Sequence, residues 1–114
     1  MNDSILLTVS KAIGLPENYS IFDPDLILLI NSELSTLIQL GGVPEDGFKI
    51  TGVNETWTDL FGDRRDLEFI KEYIYLRVRL VFDPPQNSHV YDALKAKTEE
   101  LQFRILVATE EAEA

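Results

Sequence analysis

The chain has 114 residues, 45% of them hydrophobic, which suits one domain with a real core and excludes a disordered polypeptide. Twenty Asp and Glu oppose ten Lys and Arg, and this net charge of −10 argues against wrapping nucleic acid through phosphate contacts. With no cysteine and one histidine, disulfides, thiolate nucleophiles, sulfur-bound zinc and a two-histidine metal site are all excluded.

The start, Met1-Asn2-Asp3-Ser4, lacks the basic region of a signal peptide. The longest apolar run, Leu26 to Ile30, is too short to span a bilayer. The expectation is a soluble protein, made and used in the cytoplasm, with no membrane contact. The first predicted helix runs from about Asp3 to Ile13. Asp3 or Ser4 caps it, Ile5, Leu6, Val9 and Ile13 recur at helical spacing, and Gly14 followed by Leu15-Pro16 stops it. The second starts with Asp23 as N-cap and Pro24 in the first turn, where its missing N–H costs nothing. Its apolar stripe is Leu26, Ile27, Ile30, Leu34, Leu37 and Ile38, with Asn31, Ser32, Glu33, Ser35 and Gln39 largely off it. Gly41-Gly42 ends it.

Residues 41–56 read as a long loop. Within it Phe48-Lys49-Ile50-Thr51 alternates as a short strand or hairpin would. Asn54 is a candidate cap for a brief turn through Trp57, Leu60 and Phe61, closed by Gly62. The next helix spans about Asp63 to Phe82 and carries two stripes. One holds Leu67, Ile70, Ile74, Val78 and Val81, the other Phe69, Tyr73, Leu76, Leu80 and Tyr75. A helix apolar on most sides lies either at the centre of a fold or between the fold and a partner. Asp83-Pro84-Pro85 is a firm stop. The last helix begins near Asn87 or Ser88 and carries Val90, Tyr91, Leu94, Leu101, Phe103, Ile105 and Leu106, with a polar middle from Lys95 to Glu100. Glu110 to Ala114 is an acidic stretch whose carboxylates oppose the helix dipole.

The fold class is therefore all-α. We expect a small bundle of four to five helices with one long loop, able to hold a short β-hairpin, between the second and fourth helices. A single helical domain is expected over 1–109, followed by a flexible acidic tail at 110–114.

No catalytic constellation is visible. Gly41-Gly42 follows a helix instead of opening one after a strand, so it reads as a stop and not a phosphate cradle. Asp63, Asp66 and Glu68 read as capping and dipole compensation, and Asp59 to Asp63 does not supply a calcium loop. His89, near a helix start with no nucleophile implied beside it, reads as a surface or interface residue. Neither metal nor cofactor is expected, and the chain does not read as an enzyme.

The features left over suit binding. Arg64, Arg65, Arg77 and Arg79 either pair within their helix, as Asp66 or Glu68 with Lys71 would, or reach carboxylates of another subunit. Trp57 and Phe61 either pin the loop to the core or anchor a partner.

The order of these pieces resembles the phage head–tail connector proteins, a family of adaptor or head-completion proteins. The resemblance is carried by Ser4-Ile5-Leu6-Leu7-Thr8-Val9 with Gly14-Leu15, by Phe22-Asp23-Pro24-Asp25 leading into Ile30-Asn31-Ser32, and by Gln39-Leu40-Gly41. Its densest stretch runs from Trp57-Thr58-Asp59-Leu60-Phe61-Gly62-Asp63-Arg64-Arg65 to Glu68, then through Lys71-Glu72-Tyr73 to Phe82-Asp83-Pro84-Pro85. It spans about Ser4 to Leu106.

The resemblance implies a virion structural protein at the head–tail junction, assembled in the host cytoplasm. Such a protein binds beneath the portal ring, forms a ring with neighbouring copies, and meets a downstream head-completion or tail protein. DNA passes through its channel without specific binding. The candidate partner interface on this reading is Phe48, Trp57, Phe61, Arg64, Arg65, Tyr73, Arg77, Phe103 and Leu106, with the 41–62 loop and the end of the last helix foremost. The alternative reading is a small acidic regulator, or a DNA mimic occupying a nucleic-acid enzyme. That protein would show ordered rows of carboxylates, whereas the acids here are spread among caps, loops and the tail.

Overall fold

Ser4 starts the first helix, α1 (Ile5–Ala12), by accepting the Leu7 N–H at 3.3 Å on its hydroxyl. At the other end Gly14 takes φ +94°, the left-handed conformation that costs glycine no Cβ clash. There the Gly14 N–H reaches the Lys11 carbonyl and the Leu15 N–H reaches the Ser10 carbonyl. These two bonds are the Schellman pair, and they turn Leu15 back onto the core. The computed structural model describes residues 3–16, 19–40, 48–61 and 69–113.

Four more helices follow: α2 (Asp23–Leu40), α3 (Trp57–Phe61), α4 (Phe69–Phe82) and α5 (Ser88–Glu113). Helix α2 begins one residue earlier than expected. The Phe22 carbonyl accepts the Leu26 N–H, so Phe22 takes the cap position and Asp23 and Asp25 sit in the first turn, where their charge complements the dipole. Asn87 caps α5, its side-chain oxygen accepting the N–H groups of His89 and Val90. Helix α5 runs to Glu113, so Glu110 to Glu113 of the stretch read as an acidic tail are helical.

Helix α4 is the centre of the bundle. It packs on α5, α2 and α1, which buries Ile70, Ile74 and Val78 of one stripe and Tyr73 and Leu76 of the other. Of the two roles open to a helix apolar on most sides, the central one holds. The Phe22 and Phe82 rings meet edge to face at 5.1 Å, while Arg77 bonds Glu33 midway along, so α2 and α4 run antiparallel. The short 83–87 connection turns the chain back into α5. Leu26, Ile30, Leu34 and Leu37 of α2, with Leu101 and Ile105 of α5, complete the core.

The described part of the long loop is extended but forms no strand. Ile50 is buried, Phe48 half-buried, and Lys49 and Thr51 are exposed, so the alternation is real. Among the described residues no neighbouring strand satisfies it. Instead the Asn31 amide of α2 does what a strand would: its Nδ2 donates to the Ile50 carbonyl at 2.9 Å and its Oδ1 accepts the Ile50 N–H at 2.8 Å. The expected hairpin is thereby corrected, because a side chain supplies both halves of the pairing. Among the described residues the one β-type pairing is an isolated antiparallel bridge between Ser4 and Thr56.

Asn31→Ala removes both bonds and leaves two backbone groups of a buried residue unpaired. We expect a loss of about 1–3 kcal/mol, read in urea unfolding as a lower midpoint at unchanged slope.

Candidate partner interface

The segment 50–61 is tied down by carboxylates and hydroxyls, most of them exposed to water. Glu55 closes a turn by accepting the Thr51 N–H, the Thr51 hydroxyl and the Gly52 N–H at 2.9, 2.8 and 3.4 Å. Thr56 and Asp59 form a capping box at the start of α3: the Asp59 N–H donates to Thr56 Oγ1 and the Thr56 N–H to Asp59 Oδ2, both at 3.0 Å. Thr56, two residues beyond the expected Asn54, is thus the cap. The spacing Thr56-x-x-Asp59 was the signal for it.

The N-terminus completes the tie. Asp3 accepts the Thr58 hydroxyl at 2.7 Å and the Thr58 N–H at 3.2 Å, while its own carbonyl takes the Trp57 N–H. The Ile5 N–H donates to the Glu55 carbonyl. Asp3, a candidate cap for α1 on sequence, therefore serves α3, and Ser4 serves α1. Thr58 holds Asp3 below the ordinary 3.8, its hydroxyl contributing most and outweighing partial burial. Glu55 is likewise held below 4.5, chiefly by the Thr51 hydroxyl.

Trp57 lies inside this junction, 3% exposed. Its Nε1 donates to Thr8 Oγ1 at 2.8 Å, and the Thr8 hydroxyl donates to the Ser4 carbonyl at 2.7 Å, so the indole joins α3 to the first turn of α1. Lys71 lies over the ring at 5.9 Å from its centre. Beside it is an open cleft of about 300 Å³ with Val9, Ala12 and Tyr75 along its apolar wall and Asp3, Lys71 and Glu72 at its edge.

The expected interface residues separate by burial. Trp57 and Tyr73 are core residues of this chain, the latter 1% exposed, and present almost no surface to a partner. Burial raises the Tyr73 hydroxyl above its ordinary pKa, Glu33 adds to this and Arg77 opposes it. Phe48 is half-buried against the core. Arg77 donates from Nε to Glu33 Oε1 at 3.1 Å, so the carboxylate it serves lies on α2 of the same chain. Glu33, read as lying off the buried stripe, is itself buried, because it faces that guanidinium. Phe103, 66% exposed, and Leu106 stand on the outer face of α5. The side chain of Phe61 and the residues Arg64, Arg65, Asp66 and Glu68 lie outside the described residues.

Sequence reasoning did not single out the exposed apolar residues at the other end of the bundle. The Tyr19 ring lies 5.8 Å from that of Phe22, and Ile21 and Val81, next in sequence to Phe22 and Phe82, are exposed. Val81, read on one stripe with Ile70, Ile74 and Val78, is exposed in the last turn of α4. His89 is exposed. Among the described residues no three His, Asp or Glu side chains come together as a metal site, and no helix is long and apolar enough to cross a membrane.

The described residues form an all-helical domain that leaves large apolar side chains such as Ile21, Leu28 and Phe103 exposed. The sequence profile of a family described as phage connector protein matches residues 5–112, and the chain belongs to that family. It is a family of phage structural proteins and not of enzymes. Neither the curated proteins nor the solved structures compared with the chain give a match.

Two predictions follow from the junction. Trp57→Ala should destabilise the fold by about 3–5 kcal/mol, as large core truncations do. Trp57→Phe keeps most of the ring and should cost about 1 kcal/mol for the lost hydrogen bond; circular dichroism during unfolding measures both. Asp3 and Glu55 have folded pKa values below their ordinary 3.8 and 4.5, so their contribution is complete above those values and is lost as pH falls through the lowered ones. Melting temperature should therefore drop between about pH 5 and about pH 3, and the double variant Asp3→Asn, Glu55→Gln should melt lower at neutral pH but show a shallower drop.

Proposed function

We propose that the protein is a subunit of the connector at the phage head–tail junction. It binds beneath the portal ring, stands in a ring with neighbouring copies, and carries the DNA channel on towards a downstream head-completion or tail protein. The observation that carries this reading is the family match over residues 5–112.

The physical character of the chain supports it. The fold leaves apolar side chains exposed on α5 and at the opposite end of the bundle, which suits subunit contacts. A net charge of −10 repels phosphates over distances near the ~8 Å Debye length at physiological salt. An acidic channel wall lets DNA slide without holding it. The virion is then the place of action, with assembly in the host cytoplasm.

Electron microscopy of purified portal mixed with this chain tests the reading. A ring of added density on the tail-facing side of the portal is expected, and bare portal at saturating chain would refute it.

A further inference from the structure

Segment 48–61 is held near both ends by groups outside it. Near its start the Asn31 amide of α2 takes the Ile50 carbonyl and N–H at 2.9 and 2.8 Å. Near its finish the N-terminus does the holding. Asp3 accepts the Thr58 hydroxyl and N–H on its carboxylate and the Trp57 N–H on its carbonyl, while the Ile5 N–H donates to the Glu55 carbonyl at 3.0 Å. The Trp57 indole reaches Thr8 of α1, and Lys71 of α4 lies over its ring.

The two ends are joined inside the segment. The Glu55 carboxylate takes the N–H and hydroxyl of Thr51, the residue after Ile50, and the Glu55 carbonyl takes Ile5. The Thr56–Asp59 capping box fixes the turn that follows. A displacement at Ile50 therefore passes through Thr51 and Glu55 to Ile5, Trp57 and Thr58 along adjoining hydrogen bonds.

The segment's share of the core is smaller than the bundle's. Among the described residues it supplies three buried apolar side chains, Ile50, Trp57 and Leu60, whereas α2, α4 and α5 supply eleven. Those three helices pack on one another, and α3 packs far less on any of them. The bonds to the Asp3 and Glu55 carboxylates are mostly exposed to water. Few buried contacts and solvent-exposed bonds are the conditions under which part of a fold opens below the free energy of global unfolding.

We propose that residues 3–5 and 48–61 form a clasp that opens as one unit while α2, α4 and α5 stay folded. The device lets the chain release its N-terminus and the loop together, baring Trp57 and the apolar wall of the adjacent cleft, without losing the bundle. It is a property of the single chain and stands apart from the connector reading. Because the clasp is one unit, loosening either end loosens the other by the same factor.

Hydrogen exchange on the intact chain at neutral pH, resolved to single amides by NMR, tests this. In the unaltered protein the Ile5, Ile50, Trp57 and Thr58 amides should share one protection factor, about tenfold or more below those of Ile74 and Leu101. Asp3→Ala, read at Ile50, and Asn31→Ala, read at Thr58, should each speed exchange at the far end roughly fivefold or more. Ile105→Val takes one buried methylene from α5, which packs chiefly on α4. It should speed Ile74 and Leu101 about two- to tenfold and leave the clasp amides unchanged. Clasp amides as protected as Ile74, or sped by Ile105→Val as much as Ile74 is, would mean that the segment opens only with the whole fold, and would overturn the proposal. An Ile50 amide indifferent to Asp3→Ala would overturn it too, since the two ends would then open independently. Should Asn31→Ala fail to fold, the unaltered protein, Asp3→Ala and Ile105→Val still decide.

Discussion

A helical bundle has no hydrogen bonds to offer an extended segment, and the segment 48–56 must nevertheless bury Ile50 and deliver Trp57 to the core. The Asn31 amide resolves this conflict. With one donor and one acceptor at nearly equal distances, it satisfies both backbone groups of Ile50 and so lets an apolar side chain enter the core without leaving an N–H or C=O unpaired. The position of the segment then determines where α3 starts, where Trp57 points and which part of the N-terminus it meets.

The second tie is reciprocal. Asp3 caps α3 through Thr58, while the backbone of the same stretch takes bonds from and gives bonds to residues 55–57. Neither the first residues of the chain nor the loop would hold this geometry alone, since each supplies the other's missing partners. Trp57 seals the junction from inside, its indole N–H paired with Thr8, whose hydroxyl is in turn anchored on the Ser4 carbonyl. The bonds at the rim are exposed and individually modest, whereas the indole and Ile50 beneath them are buried. That division places apolar burial inside and pH sensitivity outside.

For a protein that acts by assembly, what the core leaves uncovered matters as much as what it covers. The described residues of both α4 stripes are buried or half-buried within the chain, apart from Val81 at its end. Arg77 spends its charge on Glu33 of α2. Apolar side chains that the core leaves exposed include Ile21 and Leu28 near the start of α2, Val81 at the end of α4 and Phe103 on α5. Helix α5, with 26 residues against 14 in α4, continues well past its main partner and carries Phe103 outward.

Much was legible from residue order alone. Leu26, Ile30, Leu34 and Leu37 at helical spacing, Gly14 after Ile13, and Pro84-Pro85 after Phe82 specify helices and their ends by local rules that need no neighbour. So the all-α class and the main helices were determined by sequence, as was the resemblance that the family match bears out. Tertiary structure alone decided the rest, because it depends on what lies opposite. Asn31 and Glu33 look like solvent-facing polar residues until Ile50 and Arg77 are placed against them. Phe48 to Thr51 has the alternation of a strand, but a strand needs a partner strand, and the fold provides an amide instead. Trp57 and Phe103 are both large aromatic residues in plausible contact positions. One is buried and the other exposed because α3 is folded back onto α1, while the outer face of α5 has no described helix against it.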